Sequence, residues 1–298
     1  MLSNSTPIII VGCGDIGTRL AQRWLALAHP VYALARSGDR AEQLQSQGIS
    51  VLRGDLDVPQ TLTALAERIV PGSVVYYLAP PSPGQEGDPR VEKLLAVIAG
   101  QTPGQVIYMG TSGVYGDTGG NWVDEESPLR PQTARARRRL AAEQALRRAS
   151  ELGGWPLTLL RVGGIYGPDR LPLARLKKGL PVLREAECGY TNRIHVEDLL
   201  RICIACAEHV GEGARVFNVS DNAPGNMTQY FLAVAEALGL PQPPQLPMTE
   251  AREQLSAAML SYLTESRRMD SRKVQRALGL ALQYPDLAAG LAGLGSRE

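Results

Sequence analysis

The chain has 298 residues, of which 44% are hydrophobic and 20% are charged, a balance typical of a globular protein. Its 31 basic and 30 acidic side chains leave a formal net charge of +1, so no overall field attracts nucleic acid or an anionic membrane. Because no apolar run reaches the roughly 18 residues that a membrane span requires, we predict none.

The first predicted elements are a strand, a glycine turn and a helix. Residues 8–11 form an apolar run that predicts a buried strand, and Gly-x-Gly-x-x-Gly follows at once. Gly12 permits the tight turn, Gly14 lets the backbone approach a diphosphate, and Gly17 lets helix and strand pack closely. The free N–H groups of the helix N-terminus suit phosphates. We predict a dinucleotide site at Gly12, Gly14, Asp15, Ile16 and Gly17.

Strand and helix patterns then alternate through the first half of the chain. Strands are predicted over residues 31–36, 49–53, 74–78, 106–109 and 157–161, and helices over 39–47, 59–69, 90–99 and 133–150. This alternation predicts an α/β fold with a doubly wound parallel sheet of the Rossmann type. Two irregular loops, 79–89 and 110–132, follow strands at the sheet edge where ligands bind.

The second half is less regular. Helices are predicted over residues 173–178, 196–209, 229–238, 250–263 and 271–278, with a strand over 215–219. We therefore predict that residues 1–165 form a Rossmann domain and that the chain returns to this domain over residues 190–220. The smaller substrate-binding portion is predicted over 166–189 and 221–298.

The cysteines favour packing over chemistry. Cys203 and Cys206 form a Cys-x-x-Cys in an apolar run, and the sequence contains no second such pair. Two buried thiols one helical turn apart are favoured over a metal or redox site, so we expect no bound metal. The sequence starts without a basic segment and apolar signal core, and with reduced thiols this predicts a cytoplasmic protein.

Several motifs follow the predicted strands in a fixed order. They are Gly54-Asp-Leu56, Tyr77-Leu-Ala79, Gly110-Thr-Ser-Gly-Val-Tyr-Gly116, Arg161-Val-Gly-Gly-Ile-Tyr-Gly-Pro168 and Asn192-Arg-Ile-His-Val-Glu-Asp-Leu199. As an ordered set they resemble the extended short-chain dehydrogenase/reductases, also called NAD-dependent epimerase/dehydratases, over nearly the whole chain. The resemblance implies an NAD(P)-dependent oxidoreductase or epimerase/dehydratase-like enzyme. Its substrate would be a polar carbonyl or hydroxyl compound, with a sugar nucleotide as one candidate, and a homodimer is one arrangement implied.

The resemblance also implies roles for individual residues. Asp55, with Leu56 beside it, would bind the adenine. The backbone at Ala79 and Pro80 would contact the cofactor ribose, and Thr111 would bind and polarise a substrate oxygen. The nicotinamide would be lined by Gly164, Ile165 and Tyr166. For Tyr115, core packing is the favoured interpretation.

The chain departs from the family at the catalytic pair Tyr-x-x-x-Lys. Alignment through residues 140–143 brings Arg135 to the position of the tyrosine and Arg139 to that of the lysine. A guanidinium keeps its proton in proteins, so Arg135 cannot exchange protons as tyrosine does. It either binds an anionic substrate group or belongs to a solvated basic face, whereas Arg139 is expected to bind the nicotinamide ribose. The proton would come from Thr111, Ser112, Tyr166 or water. The alternative is a non-catalytic NADP-binding sensor or interaction protein.

Residues after the second strand indicate the type of cofactor. An NAD site usually carries an acidic residue there for the ribose hydroxyls. This chain has Arg36 and Ser37 instead, with Arg40 nearby. An arginine would pair with a 2′-phosphate, so NADP is preferred over NAD.

Two residues of the motif at 192–199 attract attention. His195 is expected to order the chain before the following helix rather than to act in catalysis. Arg193 is a candidate for binding an anionic group. Together with Arg161, Arg170 and Lys177 it forms either an anion-binding rim or a solvated surface.

Overall fold

The computed structural model describes residues 2–82, 84, 87–255, 260, 262–263, 265–292 and 294. The chain divides into two compact units. Unit 1 comprises Met1–Thr111, Ala134–Arg161 and Leu200–Phe217, and unit 2 comprises Ser112–Thr133, Val162–Leu199 and Asn218–Glu298. No helix among the described residues combines the length and the apolar character needed to cross a membrane.

The main sheet confirms the predicted parallel Rossmann architecture. Within the described residues its seven strands are β1 (Ile8–Val11), β2 (Val31–Ala35), β3 (Ser50–Arg53), β4 (Val74–Tyr77), β5 (Gln105–Met109), β7 (Leu157–Val162) and β12 (Ala214–Val219). Their order is β12-β7-β5-β4-β1-β2-β3. The strand order reverses between β1 and β4, and ligands of such sheets bind outside the carboxyl ends of the strands at that point.

The remaining strands are short. They are β6 (Trp122–Val123), β8 (Gly164–Tyr166), β9 (Val182–Leu183), β10 (Tyr190–Thr191), β11 (Arg193–His195), β13 (Gly225–Asn226), β14 (Gln245–Leu246) and β15 (Arg268–Met269). Among them β8 pairs with β11, β9 with β14 and β6 with β15 in parallel, and β10 pairs with β13 antiparallel.

The helices follow the predicted alternation. They are α1 (Asp15–Ala26), α2 (Gly38–Gln45), α3 (Thr63–Arg68), α4 (Pro89–Ile98), α5 (Ala134–Gly153), α6 (Leu173–Lys177), α7 (Val196–Glu208), α8 (Met227–Ala237) and α9 (Met248–Gln254), followed by Arg272–Leu278 and Leu287–Leu291. Helix α8 begins two residues before its predicted start because Asn226 and Gln229 form a reciprocal capping box. The helix predicted over 250–263 lies partly outside the described residues.

Burial explains the sequence pattern of the sheet. Strands β1 and β4 are buried at every position, so they are continuous apolar runs rather than alternating ones. The core of unit 1 packs these strands against α3, α4 and α5. Unit 2 has a separate core in which Tyr166 packs with Tyr230, Phe231 and Leu291.

The thiols of Cys203 and Cys206 are buried in α7, and burial raises the pKa of both. The carbonyl oxygen of Cys203 accepts a hydrogen bond from the Tyr76 hydroxyl at 2.9 Å. Both cysteines therefore contribute to the packing of this helix.

Candidate functional site

The glycine turn after β1 has a different reason for glycine at each position. Gly12 has φ +98°, and a Cβ there would lie 2.3 Å from the backbone nitrogen of Ala79. A Cβ on Gly17 would lie 2.9 Å from the carbonyl oxygen of Gly12. At Gly14 a Cβ would meet nothing within 4 Å among the described residues. The first and third glycines thus allow close backbone packing, and the second leaves space open.

This open space lies at the N-terminus of α1. Gly14 is the N-cap, and within the described residues no side chain caps it. The Asp15 carboxylate pairs with Arg19 one turn further along the helix, at 2.9 Å. A bare helix N-terminus beside an open glycine position fits a diphosphate, which would accept hydrogen bonds from the backbone.

Arg40 lies against the same turn from α2. Its Nη2 donates to the Cys13 carbonyl oxygen at 2.8 Å and to Thr18 Oγ1 at 2.5 Å. Arg36 is 70% exposed, and its Nε lies 3.9 Å from Asp55 Oδ2. Ser37 caps α2 by accepting from the Arg40 backbone N–H. Two guanidinium groups therefore stand near the end of β2.

The segments after β3 and β4 are held by polar contacts. Asp55 Oδ1 accepts from the Asp57 N–H at 2.8 Å, and Leu56 beside it is buried. Arg90 forms an ion pair with Asp57 and donates to the Pro80 carbonyl oxygen at 3.1 Å. These contacts fix the start of the loop after β4.

Arg139 extends from α5 to the ends of β4 and β5. Its Nη1 lies 3.2 Å from the Ala79 carbonyl oxygen, 3.3 Å from the Tyr108 hydroxyl and 3.4 Å from the Met109 carbonyl oxygen. Sequence reasoning missed Tyr108, for which the only signal is a tyrosine inside an apolar strand. Arg135, one turn earlier on the helix, is exposed, and Thr111 is half-buried just after β5.

Tyr166 belongs to unit 2, as do Gly164 and Ile165 of the same strand. Its hydroxyl donates to the Asp286 carbonyl oxygen at 3.1 Å, and the ring is 2% exposed. Burial raises the pKa of the phenol. A buried hydroxyl that donates to a backbone carbonyl is typical of a packing residue, so these contacts do not favour Tyr166 as a proton donor.

The prediction that Arg161 lies on an anion-binding rim or a solvated surface is wrong. Its guanidinium is buried and pairs with Glu143 on α5, with Nη2 3.0 Å from Oε2. Burial raises the pKa of Glu143, and the charge of Arg161 opposes that shift. The guanidinium of Arg161 is therefore not exposed to solvent, and it is not available to bind an anion because Glu143 already compensates its charge. Arg193 is also buried rather than on a rim.

His195 and Tyr115 lie in packed surroundings. His195 Nδ1 accepts from the Glu197 N–H at 3.3 Å, and its ring centroid lies 3.8 Å from that of Tyr284. The Tyr115 hydroxyl donates to Asn218 Oδ1 at 2.6 Å, and both residues are buried. These positions fit the ordering and packing roles expected for them.

A family model for the NAD dependent epimerase/dehydratase family matches residues 8–220. The chain belongs to this family. Its fold and its glycine turn are those of a dinucleotide-binding member. Positions 135 and 139 of this member of the epimerase/dehydratase family are both arginines.

Individual relatives have different activities. A protein of Streptomyces sp named 3-diazoavenalumate denitrifying reductase is 27% identical over 308 residues, covering 95% of this chain and 98% of its own. A functionally unknown conserved protein from Silicibacter pomeroyi DSS has a structure with TM-score 0.82 and 28% identity, over 98% of this chain and 99% of that one. The UDP-glucose 4-epimerase from Bifidobacterium longum, solved with NAD+ and UDP, has TM-score 0.75 and 20% identity over 98% of both chains. That last likeness concerns the fold alone.

Proposed function

We propose that this member of the family is an NADP-dependent reductase of a polar carbonyl compound. The observation that carries the proposal is the pair of arginines after β2. Arg40 lies against the glycine turn and Arg36 is exposed beside Asp55. The Streptomyces relative, matched over 95% of this chain, is named as a reductase, which favours reduction over epimerisation.

The preference for NADP follows from charge. The 2′-phosphate of NADP carries negative charge, and a guanidinium binds phosphate with charge-assisted hydrogen bonds. Asp55 stands 3.9 Å from Arg36, so the arginine is neutralised only in part and remains 70% exposed. NAD lacks the phosphate and would gain little from either arginine.

Residues of unit 1 would hold the cofactor. The diphosphate would lie at Gly14, Asp15 and Ile16, the adenine near Asp55 and Leu56, and the ribose near Ala79, Pro80 and Arg139. When bound, the nicotinamide supplies the hydride for reduction of the carbonyl carbon. We propose that unit 2 serves the substrate.

The remaining requirement is a proton for the reduced oxygen. A guanidinium group does not supply a proton in this way, and the Tyr166 hydroxyl donates to a backbone carbonyl. We therefore assign Thr111, at the end of β5, to hydrogen-bond the substrate oxygen, with the proton drawn from water. Replacing Thr111 by Val should lower kcat by about a hundredfold and leave the NADPH affinity unchanged.

Calorimetric titration with NADPH and NADH tests the cofactor assignment. Wild-type protein should bind NADPH more tightly, and Arg36→Gln should weaken NADPH binding by about tenfold without changing NADH binding. Arg53→Gln is the matched control, because Arg53 donates to the Ser37 carbonyl oxygen close by. Tighter binding of NADH than of NADPH by the wild type would overturn the preference.

The second candidate function is NADP binding without turnover, as a sensor or interaction protein. The arginine at position 135 favours it, because a guanidinium cannot replace the phenol in proton exchange. A panel of aldehydes and ketones with NADPH separates the two. If NADPH binds but is oxidised only by the double variant Arg135→Tyr/Arg139→Lys, the native chain is not a reductase.

A further inference from the structure

Unit 2 contains a buried arginine whose partners are all uncharged. Arg193 on β11 is only 5% exposed. Its Nη2 donates to the Asn226 carbonyl oxygen at 2.7 Å and to Thr191 Oγ1 at 3.0 Å, and lies 3.7 Å from the Met227 sulfur. Across the described residues, Arg193 has no ion pair with a carboxylate. A buried cation in such surroundings requires compensation, because its desolvation is costly.

The unused donors of this guanidinium can be counted. An arginine has five N–H groups, of which two belong to Nη2. The two on Nη1 and the one on Nε have no hydrogen-bond partner in the described part of the chain. Neither Nη1 nor Nε is among the fully buried polar atoms of the described residues that lack a hydrogen bond, so both atoms reach solvent. Three N–H groups are therefore available to a bound ligand.

Tyr230 on α8 stands next to these donors. The Cζ atom of Arg193 lies 4.8 Å from the centre of the Tyr230 ring, and the tyrosine is 7% exposed. Its hydroxyl has no hydrogen bond among the described residues. Burial raises the pKa of the phenol, so the hydroxyl keeps its proton and can donate it to an acceptor.

Asp221 is the acidic group that faces Arg193. Its N–H donates to the Arg193 carbonyl oxygen at 2.7 Å, and its Oδ1 accepts from the Ala223 N–H at 3.0 Å. Burial raises the pKa of Asp221 to about 7, against the opposing charge of Arg193. Near neutral pH only part of the molecules carry a negative charge there, so the charge of Arg193 is incompletely balanced.

We propose that Arg193 and Tyr230 bind a carboxylate of the substrate. The inference deepens the proposed reductase function and rests on it. The charged groups that act on Tyr230 and Asp221 are Arg193, Arg170, Asp221 and Asp286. In the molecules in which Asp221 is protonated, these groups sum to one positive charge, and a bound monoanion would favour that state. A diphosphate would bring more negative charge than this buried site compensates, so a carboxylic acid is favoured over a sugar nucleotide.

The test compares two ligands that differ in one charge. The probes are 4-formylbenzoate and its methyl ester, titrated by ligand-detected NMR into full-length protein saturated with NADP+. UDP-glucose and inorganic phosphate are added as further arms. The carboxylate should bind more tightly than the ester. Arg193→Gln should weaken carboxylate binding about ten- to a hundredfold and leave ester binding unchanged.

Arg175→Gln is the matched control. Arg175 also stacks on an aromatic ring of α8, with its Cζ 5.5 Å from the Phe231 centroid, and also donates to a backbone carbonyl, that of Pro181. Its replacement should leave carboxylate binding unchanged. Because Arg193→Gln can affect folding, Tyr230→Phe provides a second variant that keeps the ring. It should weaken carboxylate binding about two- to tenfold.

Several outcomes would overturn the inference. The first is equal binding of the carboxylate and the ester by the wild type. The second is wild-type carboxylate affinity in both Tyr230→Phe and a correctly folded Arg193→Gln. The third is tighter binding of UDP-glucose or phosphate than of the carboxylate. Binding of NADPH is measured on the same protein preparations before NADP+ is added. If the wild type binds NADPH but no carboxylate, only this inference fails, whereas loss of NADPH binding contradicts the proposed function itself.

Discussion

Arg139 donates from Nη1 to the hydroxyl oxygen of Tyr108 at 3.3 Å, and its Cζ lies 5.7 Å from the centre of that ring. The tyrosine is fully buried in β5, so it cannot move to follow the arginine. The guanidinium is therefore held at the ends of β4 and β5 instead of on a solvated helix face. Its Nη2 and Nε make no hydrogen bond among the described residues, which leaves them for a ligand.

The first prediction concerns this arginine. Replacing Arg139 by Met removes the donors assigned to the nicotinamide ribose, and NADPH should bind about tenfold more weakly in calorimetry. Arg139→Lys should recover part of the affinity, because a lysine ammonium group still donates hydrogen bonds. Arg148→Met, an exposed arginine of the same helix, is the control and should bind NADPH normally. Wild-type affinity in Arg139→Met would contradict the assignment.

The second prediction separates two glycines of the turn. Gly12→Ala should destabilise unit 1, because φ is +98° and the new methyl group would lie 2.3 Å from the Ala79 nitrogen. Gly14→Ala meets nothing within 4 Å among the described residues, so its melting temperature should fall much less than that of Gly12→Ala, by no more than the small cost of alanine at an N-cap. Its methyl group would occupy the space assigned to the diphosphate, and NADPH binding should fall sharply. If Gly14→Ala binds NADPH as the wild type does, the diphosphate lies elsewhere.

Local patterns were sufficient to predict the first unit. The apolar run at β1 and the glycine spacing depend on neighbours within about ten residues, and the structure confirms the parallel sheet that they imply. The start of α8 was predicted two residues late. The Asn226-x-x-Gln229 spacing that forms the capping box is present in the sequence.

Contacts between distant residues could not be predicted in this way. The position of Arg161 at the end of a strand is typical of a residue on a binding rim, yet its partner Glu143 lies 18 positions earlier on α5. Nothing in the spacing indicates that both side chains turn inward. The link between Arg139 and Tyr108 has the same origin, since packing of α5 on the sheet brings them together across 31 positions.

The third prediction tests the buried pair of Glu143 and Arg161. Both side chains are at most 3% exposed, so Glu143→Gln leaves an uncompensated charge in the core. Such a loss costs about 3–5 kcal/mol of unfolding free energy, measurable by urea denaturation. The double variant Glu143→Leu/Arg161→Met should be more stable than either single variant. Asp15→Asn, which breaks the exposed pair with Arg19, should change stability by less than about 1 kcal/mol.

The fourth prediction concerns the pH dependence of stability through Asp221. The folded-state pKa of about 7 lies above the value near 4 of an unfolded aspartate. The folded state therefore binds the proton more tightly, so the contribution of this group is fully present below about pH 4 and is lost as pH rises through 7. Asp221→Asn keeps an oxygen for the Ala223 N–H and removes this titration. Between pH 4 and 8 the wild type should lose on the order of 2–4 kcal/mol relative to Asp221→Asn, as measured by denaturation at each pH. A constant difference across that range would mean that Asp221 is ionised throughout and already compensates Arg193.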